Sequence, residues 1–214
     1  MTKGKQHKTR RRASTPGAPL DSAMKGGTSK GGSAKDEPAK GGSAASGASK
    51  GGRPKLTFGD AVTTVPALAG VLEAGKQALK KDHRKQVTCD DETRWTGSID
   101  LDAALMQHPQ HASQNRWDYG MGYLDPAGKE SAIWIEVHSA ETGEVSTVIR
   151  KLAWLKAYLP EHCPDLWTLT HASREELRFV WIASGRYAIP KHMPQMRMLR
   201  AAGLDPPVQR LHLP

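Results

Sequence analysis

The stretch 116–140, RWDYGMGYLDPAGKESAIWIEVHSA, constrains the fold more than any other part of the chain. It alternates with period two on both sides of Asp125-Pro126-Ala127-Gly128, a strong turn sequence. Trp117, Tyr119, Met121 and Tyr123 share one face of the first predicted strand, and Arg116, Asp118, Gly120 and Gly122 share the other. Ile133, Ile135 and Val137 share one face of the second, and Trp134, Glu136 and His138 the other. Both apolar faces must lie on the same side of a sheet, and a one-residue slip would reverse every side chain. A register centred on the turn therefore sets Gly120 opposite Trp134, Asp118 opposite Glu136 and Arg116 opposite His138. Opposed Cβ atoms in such a pair are about 5 Å apart. Two carboxylates at that distance repel unless a cation or an arginine lies between them.

The rest of the chain divides sharply. Residues 1–55 hold thirteen Lys and Arg against three acids, whereas residues 56–214 hold eighteen against nineteen. The net charge of +9 thus belongs to the first segment. That segment has no Phe, Trp or Tyr, and Lys-Gly-Gly recurs through it. It cannot bury enough surface to offset its conformational entropy, so a disordered basic tail is expected. Arg10, Arg11, Arg12, Lys25, Lys30, Lys40 and Lys50 are its candidate contacts to the phosphates of DNA or RNA. Residues 56–214 are expected to form one globular domain. Cys89 and Cys163 make no disulfide framework, which suits a reducing compartment. No apolar run reaches the length of a membrane span. A cytoplasmic protein, able to associate with the nucleoid, is the expectation.

Helical spacing predicts a helix over 60–80, capped by Asp60 or beginning at Pro66. Within it, residues 70–77 match the phosphate-loop pattern GxxxxGK[ST] except at the last position, the magnesium ligand. No buried strand precedes them, so an Ala/Gly-rich helix packed on a sheet is the preferred reading. Residues 98–102 alternate as a short strand, or else Asp100 or Asp102 caps a short helix. Residues 108–115 read as a loop with solvated His108 and His111. A helix containing Val145, Val148, Ile149, Leu152, Leu155 and Tyr158 follows the hairpin, capped by Thr142 and ended by Pro160, with Lys151 and Lys156 on its solvent face. A loop, a strand over 179–184, a helix over 193–202 and a last strand over 208–213 complete the order. The fold class is α/β with a mixed sheet: helix, hairpin, helix, strand, helix, strand.

With Asp118 on one strand and Glu136-x-His138 on the next, this order resembles the PD-(D/E)XK nuclease superfamily, the restriction-endonuclease-like fold. The resemblance covers about residues 58–185. It implies that Asp118 and Glu136 bind Mg²⁺ or Mn²⁺ and that His138 stands at the position of the motif lysine. Glu73 is a further acid. The implied chemistry is metal-assisted phosphodiester hydrolysis, in which the third residue orients or activates a water. The stretches 117–123 and 135–140, with 148–159, also resemble a set of uncharacterised bacterial proteins, which implies no activity. Two other classes fit the same residues. One is a non-catalytic nucleic-acid-binding protein on the same fold. The other is an interaction module presenting Trp95, Trp154, Trp167 and Trp181 to a protein partner.

Overall fold

The computed structural model describes residues 55–214. The expectation of a disordered tail, with its phosphate-contacting Arg and Lys, lies outside those residues. Helix α1, Phe58–Thr63, is capped by Thr57, whose hydroxyl oxygen accepts from the Asp60 backbone N–H at 3.1 Å. The cap is therefore Thr57 and not Asp60. The helix expected over 60–80 does not form. Pro66–Leu68 makes a single 3-10 turn, and Gly70 and Gly75 adopt φ of +84° and +53°. Left-handed residues cannot continue a right-handed helix. The phosphate-loop reading fails as well. Lys76 is tied to the Val87 carbonyl at 2.8 Å and to the Glu92 carboxylate at 2.6 Å.

Short helix α2, Lys81–Arg84, leads into β1, Val87–Cys89. Strand β2, Trp95–Asp100, is longer than expected, and Asp100 then caps α3, Leu101–Met106, by accepting from Ala103 N–H at 2.8 Å. Both sequence alternatives for 98–102 are thus realised, one after the other. The hairpin is β3, Tyr119–Leu124, and β4, Glu130–His138. Its register pairs Gly120 with Trp134 and Tyr119 with Ile135, as the face argument requires. Helix α4, Val145–His162, runs through Pro160 and stops only at Cys163. Residues expected to form a loop make α5, Pro164–Ala172, with Pro164 in its first turn and Leu166, Leu169 and Thr170 buried. A proline there forfeits no hydrogen bond, so Cys-Pro starts a helix rather than a loop. Short α6, Glu175–Arg178, precedes β5, Phe179–Ala183. Helix α7, Pro194–Ala202, ends on left-handed Gly203, and β6 is only Leu211–Leu213.

The order across the main sheet is β2-β3-β4-β5, antiparallel except for the parallel β4–β5 pair. β1 and β6 form a separate parallel pair. Both faces of the main sheet are covered. Tyr119, Met121, Ile133, Ile135 and Ile182 pack with Val87, Leu211 and Leu213 of the small sheet. Trp134, Phe179 and Trp181 pack with Val148, Leu152 and Leu155 of α4 and with Leu166 and Leu169 of α5. The hairpin face that alternation marks as polar is therefore an interior face. It tolerates Glu136 only because that residue finds partners there.

The two hairpin glycines make this packing fit. A Cβ on Gly122 would lie 2.6 Å from Phe58 Cβ, and one on Gly120 would lie 2.7 Å from the Trp134 ring. Phe58 Cβ is fixed by its own backbone and cannot swing aside. Gly122→Ala should therefore cost about 1–3 kcal/mol, the usual range for overpacking, read from chemical denaturation. No helix among the described residues is long and apolar enough to cross a membrane.

Candidate active site

The ladder between β3 and β4 stops at Tyr119–Ile135, and beyond that pair side chains replace it. Glu136 Oε2 accepts from Asp118 backbone N–H at 3.2 Å. Asp118 Oδ2 accepts from Val137 backbone N–H at 3.0 Å. Each carboxylate thus binds backbone on the facing strand. The Asp118 carbonyl turns the other way and accepts from Leu101 N–H at 2.8 Å, which anchors it to the end of β2.

Lys151 closes the group from α4. Its Nζ donates to Asp118 Oδ1 at 3.2 Å and also to Glu136 Oε1. The expectation that Lys151 faces solvent is overturned. It lies three residues after buried Val148 and four before buried Leu155, on the side of α4 that meets the sheet. Lys156 is turned inward too. Its Nζ donates to the Ala202 carbonyl at 2.7 Å and lies 5.1 Å from the centre of the Phe179 ring.

Glu136 is fully buried, while the Asp118 and Lys151 side chains keep 21% and 17% of their surface exposed. Burial, reinforced by the Asp118 charge, pushes the Glu136 carboxyl up to about 8 against the pull of Lys151. Burial disfavours the Lys151 ammonium, but the Glu136 and Asp118 carboxylates outweigh it and push its pKa above the ordinary lysine value. Both shifts express one fact: two acids and one base in a low-dielectric site hold protons tightly.

His138 does not reach into this group as the third position would require. Its Nε2 lies 2.9 Å from Glu144 Oε2, and its Nδ1 lies 3.7 Å from Glu136 Oε1. It flanks the site between two carboxylates. Arg116 is likewise turned away, bonding Asp102 at 2.9 Å and the carbonyls of His111 and Ala112. Glu73 is not on a helix. Its backbone bridges Ser98 and its side chain is exposed. His111 is buried rather than solvated, against Tyr158 and 3.0 Å from Gln114. Trp95 and Trp181 belong to the core, and Trp154 and Trp167 are half-buried against it.

Asp118 opens onto a cleft of about 390 Å³ lined by Lys80, His83, Asp100, Asp102 and Tyr119. His83 Nδ1 is 3.0 Å from the Tyr119 hydroxyl. Burial holds the His83 pKa below the ordinary histidine value, although the nearby Asp118 charge opposes it. The imidazole is therefore kept neutral near pH 7. Burial also raises the Asp100 carboxyl, with Asp102 and Asp118 adding to the shift against its bond to Ala103 N–H. Among the described residues no group of three or more His, Cys, Asp or Glu is gathered closely enough to hold a metal ion alone. No family model, curated protein or solved structure matches this chain.

Proposed function

We propose that this chain is a metal-dependent phosphodiesterase acting on nucleic acid, built on a restriction-endonuclease-like core, with Asp118, Glu136 and Lys151 as its catalytic group. The observation that carries the reading is Lys151 Nζ set between two carboxylates at the end where β3 and β4 part. That places an acid at the start of one hairpin strand, a second at the end of the next, and an ammonium beside both. The meander β2-β3-β4 with parallel β5 beyond it supports the same reading. The ammonium comes from the following helix, and His138 is left as a flanking residue.

The residues fit a hard divalent cation. Mg²⁺ is commonly held by one or two carboxylates together with substrate phosphates, so a full cage of protein ligands is not needed. Asp118, the partly exposed acid, would hold it, with Glu136 as a second ligand once Lys151 is drawn aside, and when bound it would neutralise charge on the phosphate and lower the pKa of a bound water. Burial, with the Asp118 charge beside it, raises the Glu136 carboxyl, and a bound cation would oppose that shift. Asp118 is the solvent-facing acid and aligns the substrate at the cleft. Glu136, locked by backbone and by Lys151, fixes the geometry from inside. Lys151 orients the attacking water and stabilises negative charge as it develops on the phosphate.

The test is cleavage of DNA and of RNA with Mg²⁺ or Mn²⁺. Asp118→Ala should lower the rate at least about a hundredfold, a typical cost of losing a metal-holding carboxylate. His138→Ala should cost less than about tenfold, as expected for a group outside the reacting set. Intact nucleic acid under all conditions would leave only a binding role for the same fold. Equal losses for His138→Ala and Asp118→Ala would return His138 to the third position.

A further inference from the structure

Between Ser184 and Leu204 the chain carries Arg186, Lys191, Arg197 and Arg200 and not one Asp or Glu. Elsewhere from residue 56 onward acids outnumber bases, nineteen to fourteen, so this is a segregation of charge within the described residues. Its position matters more than its sign. The segment leaves β5 at the end of the sheet that holds Glu136. Ser184 N–H donates to the His138 carbonyl at 2.9 Å, and Ala188 N–H donates to the Ala140 carbonyl at 3.0 Å. The chain thus continues alongside the exit of β4 before turning into α7.

The backbone here is anchored while its cations are not. Ile189 and Met196 are buried, and the Tyr187 hydroxyl lies 3.8 Å from Met196 Sδ. Arg186, Lys191 and Arg197 are exposed, and none of them enters an ion pair among the described residues. Lys76, Lys85, Arg94, Arg116 and Arg174 each have a carboxylate within 4 Å. Arg150, exposed on α4 beside Lys151, enters no ion pair among the described residues and donates to the Thr147 hydroxyl at 3.2 Å. Arg200 differs, because it lines a cavity with Glu175, Glu176 and Asp205.

A pinned segment with uncompensated cations pays little ordering entropy when a polyanion arrives and gains its full counterion release. We propose that Arg186, Lys191 and Arg197 form a phosphate-binding lip that holds a nucleic-acid backbone beside the Asp118–Glu136–Lys151 group. The proposal rests on the nucleic-acid reading of that group, but its contacts belong to the folded part and are separate from the basic residues of 1–54.

Full-length protein in EDTA, with a short labelled DNA duplex, separates binding from chemistry. The slope of log K against log salt counts phosphate contacts. The combined Arg186→Ala, Lys191→Ala, Arg197→Ala variant should reduce its magnitude by about 2–3, near 0.9 per lost contact. The tail contributes equally to both proteins and cancels. Lys129→Ala with Arg174→Ala removes two exposed charges from the opposite end of the sheet and should leave the slope as in the wild type. A slope unchanged in the triple variant, a fall matched by the control pair, or no DNA retention by the wild type overturns the lip. A selective fall in slope without any metal-dependent cleavage by the wild type upholds the lip and sinks the catalytic reading instead.

Discussion

Lys151→Met should cost about 3–5 kcal/mol of folding stability, the range for removing one partner of a buried ion pair. Methionine keeps the length and apolar stem of lysine, so packing on α4 changes little. What disappears is the ammonium that both carboxylates face. Their remaining partners are backbone N–H groups, one for each acid, which satisfy hydrogen bonds without supplying charge. The loss should grow with pH. Near pH 6 Glu136 keeps its proton in both proteins, whereas by pH 9 it has ionised beside Lys151 in the wild type and finds no ammonium to ionise beside in the variant. Chemical denaturation at the two pH values measures this directly. Adding Glu136→Gln to Lys151→Met should recover part of the loss, because the uncompensated charge is removed with its partner. A Lys151→Met variant with wild-type stability at both pH values would mean that the ammonium contributes no net stabilisation.

The hairpin was legible because it is overdetermined. Alternation fixes which side chains share a face, the Asp-Pro-Ala-Gly turn fixes the centre, and together they set the observed register. The polarity of that face was not legible. Trp134 beside Glu136 already hinted at an interior face, but alternation cannot tell a solvated carboxylate from one buried beneath a helix. Lys151 escaped for a related reason. Charge suggests a solvent face, while its spacing from Val148 and Leu155 puts it on the inward side of α4. A lysine in an apolar helical stripe, with two acids on the preceding hairpin, is the signal that could have found it. The broken segment over 60–80 fails differently. Its leucines keep helical spacing, yet Gly70 and Gly75 choose left-handed conformations so that Glu73 can bridge Ser98 at the sheet edge. Tertiary pairing overrides local periodicity there.

Glu136→Gln should separate stability from function in one substitution. The native carboxyl titrates at about 8, against an ordinary value of 4.5. Between those two pH values the unfolded chain releases a proton that the folded chain retains. Folding then binds protons, so wild-type stability must fall as pH rises through this window, by at most about 1.4 kcal/mol per pH unit from this group. Above pH 8 both states are ionised and the contribution levels off. Glutamine carries no titrating proton and keeps one oxygen, which can accept from Asp118 N–H or from Lys151, while its NH2 faces the other donor. Its stability should be flatter across the window, and the gap to the wild type should narrow as pH rises to 8. Denaturation in EDTA at several pH values reads this without interference from metal. If the catalytic reading holds, the same variant should lose cleavage at least about a hundredfold, because a neutral amide is a poor ligand for a hard cation. An inactive protein whose gap to the wild type narrows in this way would show that the buried charge at Glu136 is held against the interests of folding, as expected where a site keeps a group for its chemistry. Parallel pH curves for the two proteins would instead mean that Lys151 fully compensates Glu136, and that the carboxylate is there to join α4 to the sheet.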